Sequence, residues 1–183
     1  LLREEKEDTS VILDSMEQDI SRLSEISERF SKIGSKPKLK ELSIVDLIAE
    51  VSDYMKSRLP KQSGITITHS GGNNINIKGD WILLRWAVEN LMKNAIDAIG
   101  TGKGKISVVI SSAENGIRMD IIDTGKGIPR TDWKNIFRPG YSSKRRGWGL
   151  GLSLTQRIIE EIHEGNIRVF RSKPGETVFR LNF

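Results

Sequence analysis

Glu89-Asn90-Leu91-Met92-Lys93-Asn94-Ala95-Ile96-Asp97-Ala98 is the stretch on which the fold turns. It lies inside a longer apolar segment, Trp81 to Ile99, preceded by Asp80, a residue suited to the N-cap of a helix. At about 100° per residue, Asn90, Asn94 and Asp97 fall in one narrow arc of that helix. Leu84, Val88, Leu91, Ala95 and Ala98 occupy the other side. Two amides and a carboxylate thus share one face of an otherwise apolar helix. Burying such groups without partners costs about 1–3 kcal/mol each. Either this face is the polar outside of an ordinary helix, or it meets a ligand, a metal or water in a cleft. Oxygen donors from Asn and Asp suit Mg²⁺, which keeps several waters and binds substrate phosphates.

Three further stretches follow in order. Ile121-Ile122-Asp123-Thr124-Gly125-Lys126-Gly127-Ile128-Pro129 ends an apolar strand on an acid and continues with two glycines. Glycine lets backbone approach a flat ligand closely, and the carboxylate can accept from an exocyclic amine. Ile136-Phe137-Arg138-Pro139-Gly140-Tyr141-Ser142-Ser143-Lys144 sets an aromatic anchor before Gly, Ser and basic residues, as in a mobile lid; Lys144 can reach a phosphate. Gly147-Trp148-Gly149-Leu150-Gly151-Leu152 opens a helix, whose exposed N–H groups attract phosphate. It is not a Walker A loop, since G-x-x-x-x-G-K-S/T is absent, and it lacks the preceding strand of a dinucleotide fingerprint.

Periodicity predicts the surrounding elements. Ile12, Met16, Ile20, Leu23, Phe30 and Ile33 form a narrow apolar stripe on a helix over residues 10–33, suited to pairing with another helix. Gly34-Ser35-Lys36-Pro37 then marks a linker, dividing 1–36 from a domain over 37–183. A short strand is expected near Leu42–Ile44, a helix over Val45–Leu59, and strands at Ile65–Thr68 and Ile75–Ile77. A hairpin over Ile106–Ser112 and Ile117–Asp123, a short helix near Asp132–Phe137, a helix over Leu152–Glu164 and a final hairpin over Asn166–Ser172 and Thr177–Phe183 complete the chain. The class is α+β, a mixed sheet with helices on one face.

The 183 residues suit one domain with an appended element. Cysteine is absent and there are two histidines, which excludes disulfides and Cys/His zinc sites and is compatible with a reducing, cytoplasmic setting. The net charge of +5 fits a solvated basic surface, nucleic acid, an acidic membrane or a phosphate-bearing ligand alike. No run of about 18 apolar residues occurs, so no membrane contact is expected of this stretch, and any membrane anchor of the parent would lie upstream. Residue 1 is Leu rather than Met, which reads as a piece of a longer protein.

The order of the four stretches resembles the N, G1, F and G2 boxes of the histidine-kinase-type ATPase superfamily, which also includes gyrase-type topoisomerases, a heat-shock chaperone family and mismatch-repair ATPases. The likeness spans about residues 40–183 and is nearest to sensor histidine kinases, because the lid is short and the domain ends soon after G2. Residues 21–40 resemble the second helix of the kinases' dimerisation and phosphotransfer bundle, with its exit linker. The resemblance implies a two-layer α/β sandwich of the Bergerat type, with ATP between helices and lid. It implies that Asn94 coordinates Mg²⁺, with Asn90 and Asp97 near the metal or phosphates. Asp123 would bind the adenine amino group; Gly125, Gly127 and Ile128 would line the base and lid hinge; Phe137 would anchor the lid. Ser143, Lys144, Gly147, Gly149, Leu150, Gly151 and Leu152 would border the triphosphate. A response regulator, and a second copy through the bundle helix, are the implied partners; nucleic acid is not.

The kinases' H box, a histidine followed by an acid with a proline a few residues on, is missing. His69 precedes Ser70-Gly71 in a strand-like stretch, and His163-Glu164 lies after G2. The phosphoacceptor is therefore expected upstream. Arg138 and Gly140 depart from the acidic and aromatic residues usual in the F box. Glu89, about 100° from Asn90, is a further candidate for a catalytic base. Besides a kinase, the residues leave open a regulatory nucleotide-binding module and a DNA-linked ATP hydrolase.

Overall fold

The structure, a computed structural model, describes Met16, Ile20 and residues 37–183 apart from 61, 73–74, 115 and 143–147. The chain divides into two units, Leu1–Pro37 and Lys38–Phe183. Of the helix expected over residues 10–33, only Met16 and Ile20 are described; each is helical and exposed. The rest of that segment lies outside the described residues.

Unit 2 begins with β1 (Lys40–Ser43) and α1 (Ile44–Arg58). Ile44, expected at the end of the strand, instead opens the helix, because the Ser43 side chain caps it by accepting from the Asp46 N–H at 3.2 Å. Ile44, Leu47, Ile48, Val51 and Met55 recur at helical spacing and are all buried. Strands β2 (Ile65–Ser70) and β3 (Asn76–Gly79) flank Gly71–Asn74 in sequence but do not pair with each other. Strand β3 joins β1 in a two-stranded antiparallel sheet, while β2 runs parallel to β4 (Gly104–Ala113). Helix α2 (Trp81–Ile99) starts on Asp80, whose Oδ1 accepts from the N–H groups of Ile82 and Leu83 at 3.0 and 3.1 Å.

The main sheet has the order β2-β4-β5-β7-β6, with β5 at Gly116–Asp123, β6 at Asn166–Lys173 and β7 at Glu176–Asn182. Only its β2–β4 pair is parallel, so the sheet is mixed, as expected. Ile67, Ile106, Val108, Met119, Ile121, Phe179, Leu181 and Ile167 share one face by register and are buried beneath the helices. Each such side chain contributes about 1.5–3 kcal/mol by leaving water. On the opposite face, Arg180 grips Asp120 through two 2.8 Å hydrogen bonds and lies 3.4 Å from the Phe170 ring centroid.

Two local expectations are corrected. The helix near Asp132–Phe137 is two short 3₁₀ turns, Arg130–Asp132 and Asn135–Phe137. The last helix is α-helical only over α3 (Gly151–Arg157) and continues as a π turn, Ile158–Ile162. That turn is held by His163: its backbone N–H donates to the Ile158 carbonyl at 3.2 Å, and its Nδ1 lies 2.7 Å from the same oxygen. Its Nε2 accepts from the Asp80 N–H at 3.0 Å. Widening the helix by one residue turns the imidazole back onto the start of α2. Among the described residues, no helix is long and apolar enough to cross a membrane.

Candidate functional site

Helix α2 buries Leu83, Leu84, Ala87, Val88, Leu91, Met92 and Ala95. Asn90 and Asn94 lie half-buried on its polar arc, whereas Asp97, nearer the end, is exposed. The Asn90 amide nitrogen is buried with no hydrogen-bond partner among the described residues. Its Oδ1 is 3.6 Å from where a Cβ on Gly151 would stand. The first turn of α3 therefore faces the amide of α2, bringing two of the four sequence stretches together.

Glu89 turns elsewhere. Its carboxylate is 2.8 Å from Arg85 Nε, and Arg85 also reaches Glu50 of α1 at 3.4 Å and stacks on Tyr54. Two carboxylates and an aromatic face thus share one guanidinium at the seam of α1 and α2. Glu89, the candidate base, is thus engaged with Arg85 at this seam.

Asp123 ends β5 with only 3% of its surface exposed. One carboxylate oxygen accepts from the Gly125 N–H at 2.7 Å. Burial nevertheless dominates and pushes its pKa up to about 6, the single backbone bond offsetting only part. A buried acid with one local donor suits a ligand that brings another. The loop that follows is clamped on both sides: Lys126 N–H donates to the Ala98 carbonyl of α2 at 3.1 Å, and Gly175 N–H to the Gly125 carbonyl at 2.8 Å. A Cβ on Gly125 would stand 2.7 Å from Ala98, so only glycine fits there. Gly127, at φ +81, packs on the backbone of Lys173 and Pro174.

Phe137 meets Phe179 of β7 edge-on, ring centroids 6.3 Å apart, which fixes the base of the expected lid to the sheet. Gly149, at φ +65, lies beside the start of this segment: its carbonyl accepts from the Gly140 N–H at 3.1 Å. Leu150 and Leu152 are half-buried beside Gly151. Ser143, Lys144 and Gly147 lie outside the described residues.

A cleft of about 690 Å³ opens along this loop, lined by Lys126, Gly127, Ile128, Ile136, Tyr141 and Ser172 among others. That size suits a small organic ligand. Asn90, Asn94 and Asp123 are not among its lining residues. Among the described residues, no three His, Cys, Asp or Glu side chains group as a metal site.

Several residues here carried no sequence signal. Thr177, 1% exposed, is the cross-strand partner of Asp123. Its hydroxyl is 3.0 Å from Ser172 Oγ, which accepts from the Ile128 N–H at 2.8 Å. The Trp133 indole donates to the Ile128 carbonyl at 3.0 Å. A register drawn from the hydrophobic alternation of β5 and β7 would have been the one route to Thr177.

A family profile described as histidine kinase-, DNA gyrase B-, and HSP90-like ATPase matches residues 79–183. Sporulation kinase A of Bacillus subtilis (strain 168) is 32% identical over 142 residues, 78% of this chain and 23% of that protein. Sporulation kinase B of the same organism is 39% identical over 138 residues, 73% of this chain and 31% of that protein. The chain thus spans less than a third of the length of either. Among solved structures, the catalytic domain of histidine kinase ThkA superposes with a TM-score of 0.70 at 27% identity, covering 78% of this chain and 93% of that one.

Proposed function

The chain belongs to the histidine kinase-, DNA gyrase B- and HSP90-like ATPase family, and from that premise we propose that it is the part of a sensor histidine kinase that binds Mg·ATP and offers the γ-phosphoryl group to a histidine on a dimerisation helix. The bond from the γ-phosphorus to ADP breaks as a phosphorus–nitrogen bond to the imidazole forms, and an aspartate of a response regulator is the next acceptor. The observation that carries this reading is the meeting of Asn90 with Gly151: a half-buried asparagine whose amide nitrogen has no partner among the described residues and whose Oδ1 faces the first turn of a helix.

Phosphoryl transfer mostly needs positioning and charge neutralisation. Asp123 would accept from the adenine amino group, and Ile128 and Phe137 would border the base and the lid. Gly149, Gly151 and Leu152 would border the phosphates. The amide oxygens of Asn94 and Asn90 fit Mg²⁺ held jointly with phosphate oxygens, and the ion, when bound, neutralises phosphate charge. Lys144 is assigned the lid's phosphate contact. Glu89 enters only as an outcome of test, because Arg85 already holds it.

His163 is no acceptor in this reading: it is 8% exposed and both ring nitrogens are engaged. The chain is expected to bind nucleotide without phosphorylating itself. Calorimetric titration with ADP and Mg²⁺ should show binding that Asp123→Ala abolishes. Incubation with labelled ATP should leave the chain unlabelled until a histidine-bearing bundle helix is supplied. Absence of nucleotide binding, or stable label on His69 or His163, would overturn the assignment; loss of transfer in Glu89→Gln with binding intact would restore Glu89 as a base.

A further inference from the structure

Ser172 stands on β6 beside the turn to β7, outside every motif that the sequence offers. Its hydroxyl joins its own hairpin to a loop remote in sequence. It accepts from the Ile128 N–H at 2.8 Å, and it lies 3.0 Å from the Thr177 hydroxyl. Thr177 in turn faces Asp123 across the β5–β7 ladder. The other polar group of Ile128, its carbonyl, accepts from the Trp133 indole at 3.0 Å. Both backbone hydrogen-bonding groups of Ile128 are therefore claimed by side chains. Hydrogen bonds thus link Thr177, Ser172, Ile128 and Trp133 in one chain, and Thr177 is the cross-strand neighbour of the buried Asp123.

A hydroxyl has one proton to donate and two lone pairs. One lone pair of Ser172 is committed to Ile128. When its proton goes to Thr177 Oγ1, the proton of Thr177 is left for whatever lies beside Asp123. That end then presents an acceptor, the carboxylate, next to a donor, the threonine hydroxyl. Adenine offers the complement along one edge, an amino donor beside a ring-nitrogen acceptor. Guanine offers the reverse, a carbonyl beside a ring N–H.

We propose that Ser172 is a positioning residue for base recognition: by holding the Ile128 peptide and the Thr177 hydroxyl together, it fixes the depth of the Gly125–Ile128 loop and the donor direction of Thr177, and so sets a preference for adenine over guanine. This rests on the nucleotide-binding reading above. In Ser172→Ala the Ile128 N–H loses its acceptor and the Thr177 rotor loses its partner. A general loosening would weaken all nucleotides alike, whereas loss of donor direction weakens adenine nucleotides selectively.

The test is calorimetric titration of the whole chain with ADP and with GDP in Mg²⁺, for the native protein, Ser172→Ala and Ser172→Thr. The native chain should favour ADP. Ser172→Ala should weaken ADP by about tenfold, the worth of one net hydrogen bond, while GDP changes little, so that the ADP-to-GDP ratio drops by the same factor. Ser172→Thr, which keeps the hydroxyl, should restore it. An unchanged ratio in Ser172→Ala, even with both affinities lowered, overturns the proposal, as does a native chain that binds both nucleotides equally. A native chain that binds neither overturns the nucleotide reading, and the proposal with it. Should Ser172→Ala fail to fold, Ser172→Cys carries the same comparison, its weaker thiol lowering the ratio part of the way.

Discussion

Replacing Asp123 by Asn should stabilise the domain at neutral pH while weakening the nucleotide binding proposed for it. The carboxylate is 3% exposed, and its pKa stands at about 6 against an ordinary 3.8. Each pH unit of such a difference is worth about 1.4 kcal/mol, so keeping the charge in place costs the folded state about 3 kcal/mol above pH 6. The sign follows from proton counts. Between about pH 4 and 6 the folded chain holds the Asp123 proton and the unfolded chain has lost it. Stability from this group therefore falls as pH rises through that window and is level beyond it. Asn cannot ionise, and its Oδ1 still accepts from the Gly125 N–H, so the fall disappears. Urea unfolding followed by tryptophan emission, at half-unit steps from pH 4 to 8, measures it. The two proteins should agree near pH 4 and diverge by up to about 3 kcal/mol at pH 7.5, with Asp123→Asn the more stable. The same variant should bind ADP at least tenfold more weakly at pH 7.5, having exchanged an acceptor for a donor. In the native chain ADP affinity should decline below pH 6, where the acid is protonated. Parallel stability curves would refute the buried charge, and unimpaired ADP binding would refute its role.

Other consequences are as direct. His163 is held neutral by burial, its pKa below the usual histidine value of 6.5; its share of stability should fade as pH drops beneath 6.5, and His163→Gln should unfold without that dependence. Gly149→Ala puts a Cβ 2.4 Å from the Gly140 backbone at φ +65, so thermal unfolding should reveal a loss of about 1–3 kcal/mol. In the proposed nucleotide site ATP binding should suffer with it, since the Gly140–Gly149 hydrogen bond would be displaced. Arg180→Ala leaves the Asp120 carboxylate, 16% exposed, without its forked partner and should cost about 1.5–3 kcal/mol in urea unfolding. Nucleotide affinity should be unchanged, because that pair lies on the far face of the sheet.

What the sequence by itself determined is what chain-local physics controls. Asp80 and the spacing of Leu84, Val88 and Leu91 mark α2 to the residue, because capping and amphipathic periodicity act within a few residues. The alternation of Ile106 to Asp123 marks the central hairpin for the same reason. The order of the four motifs was equally legible, and with it the family. The 3₁₀ turn ending at Phe137 and the π turn before His163 were not, since each meets a partner remote in sequence, Phe179 and Asp80. Only the tertiary structure decided that Asp123 is buried enough to raise its pKa, and that Thr177 and Ser172 stand at its side. It likewise decided that Glu89 is held by Arg85, and that His163 locks the end of α3 to the start of α2. These facts depend on strand register and helix docking, and a sequence lists such residues without saying which of them meet.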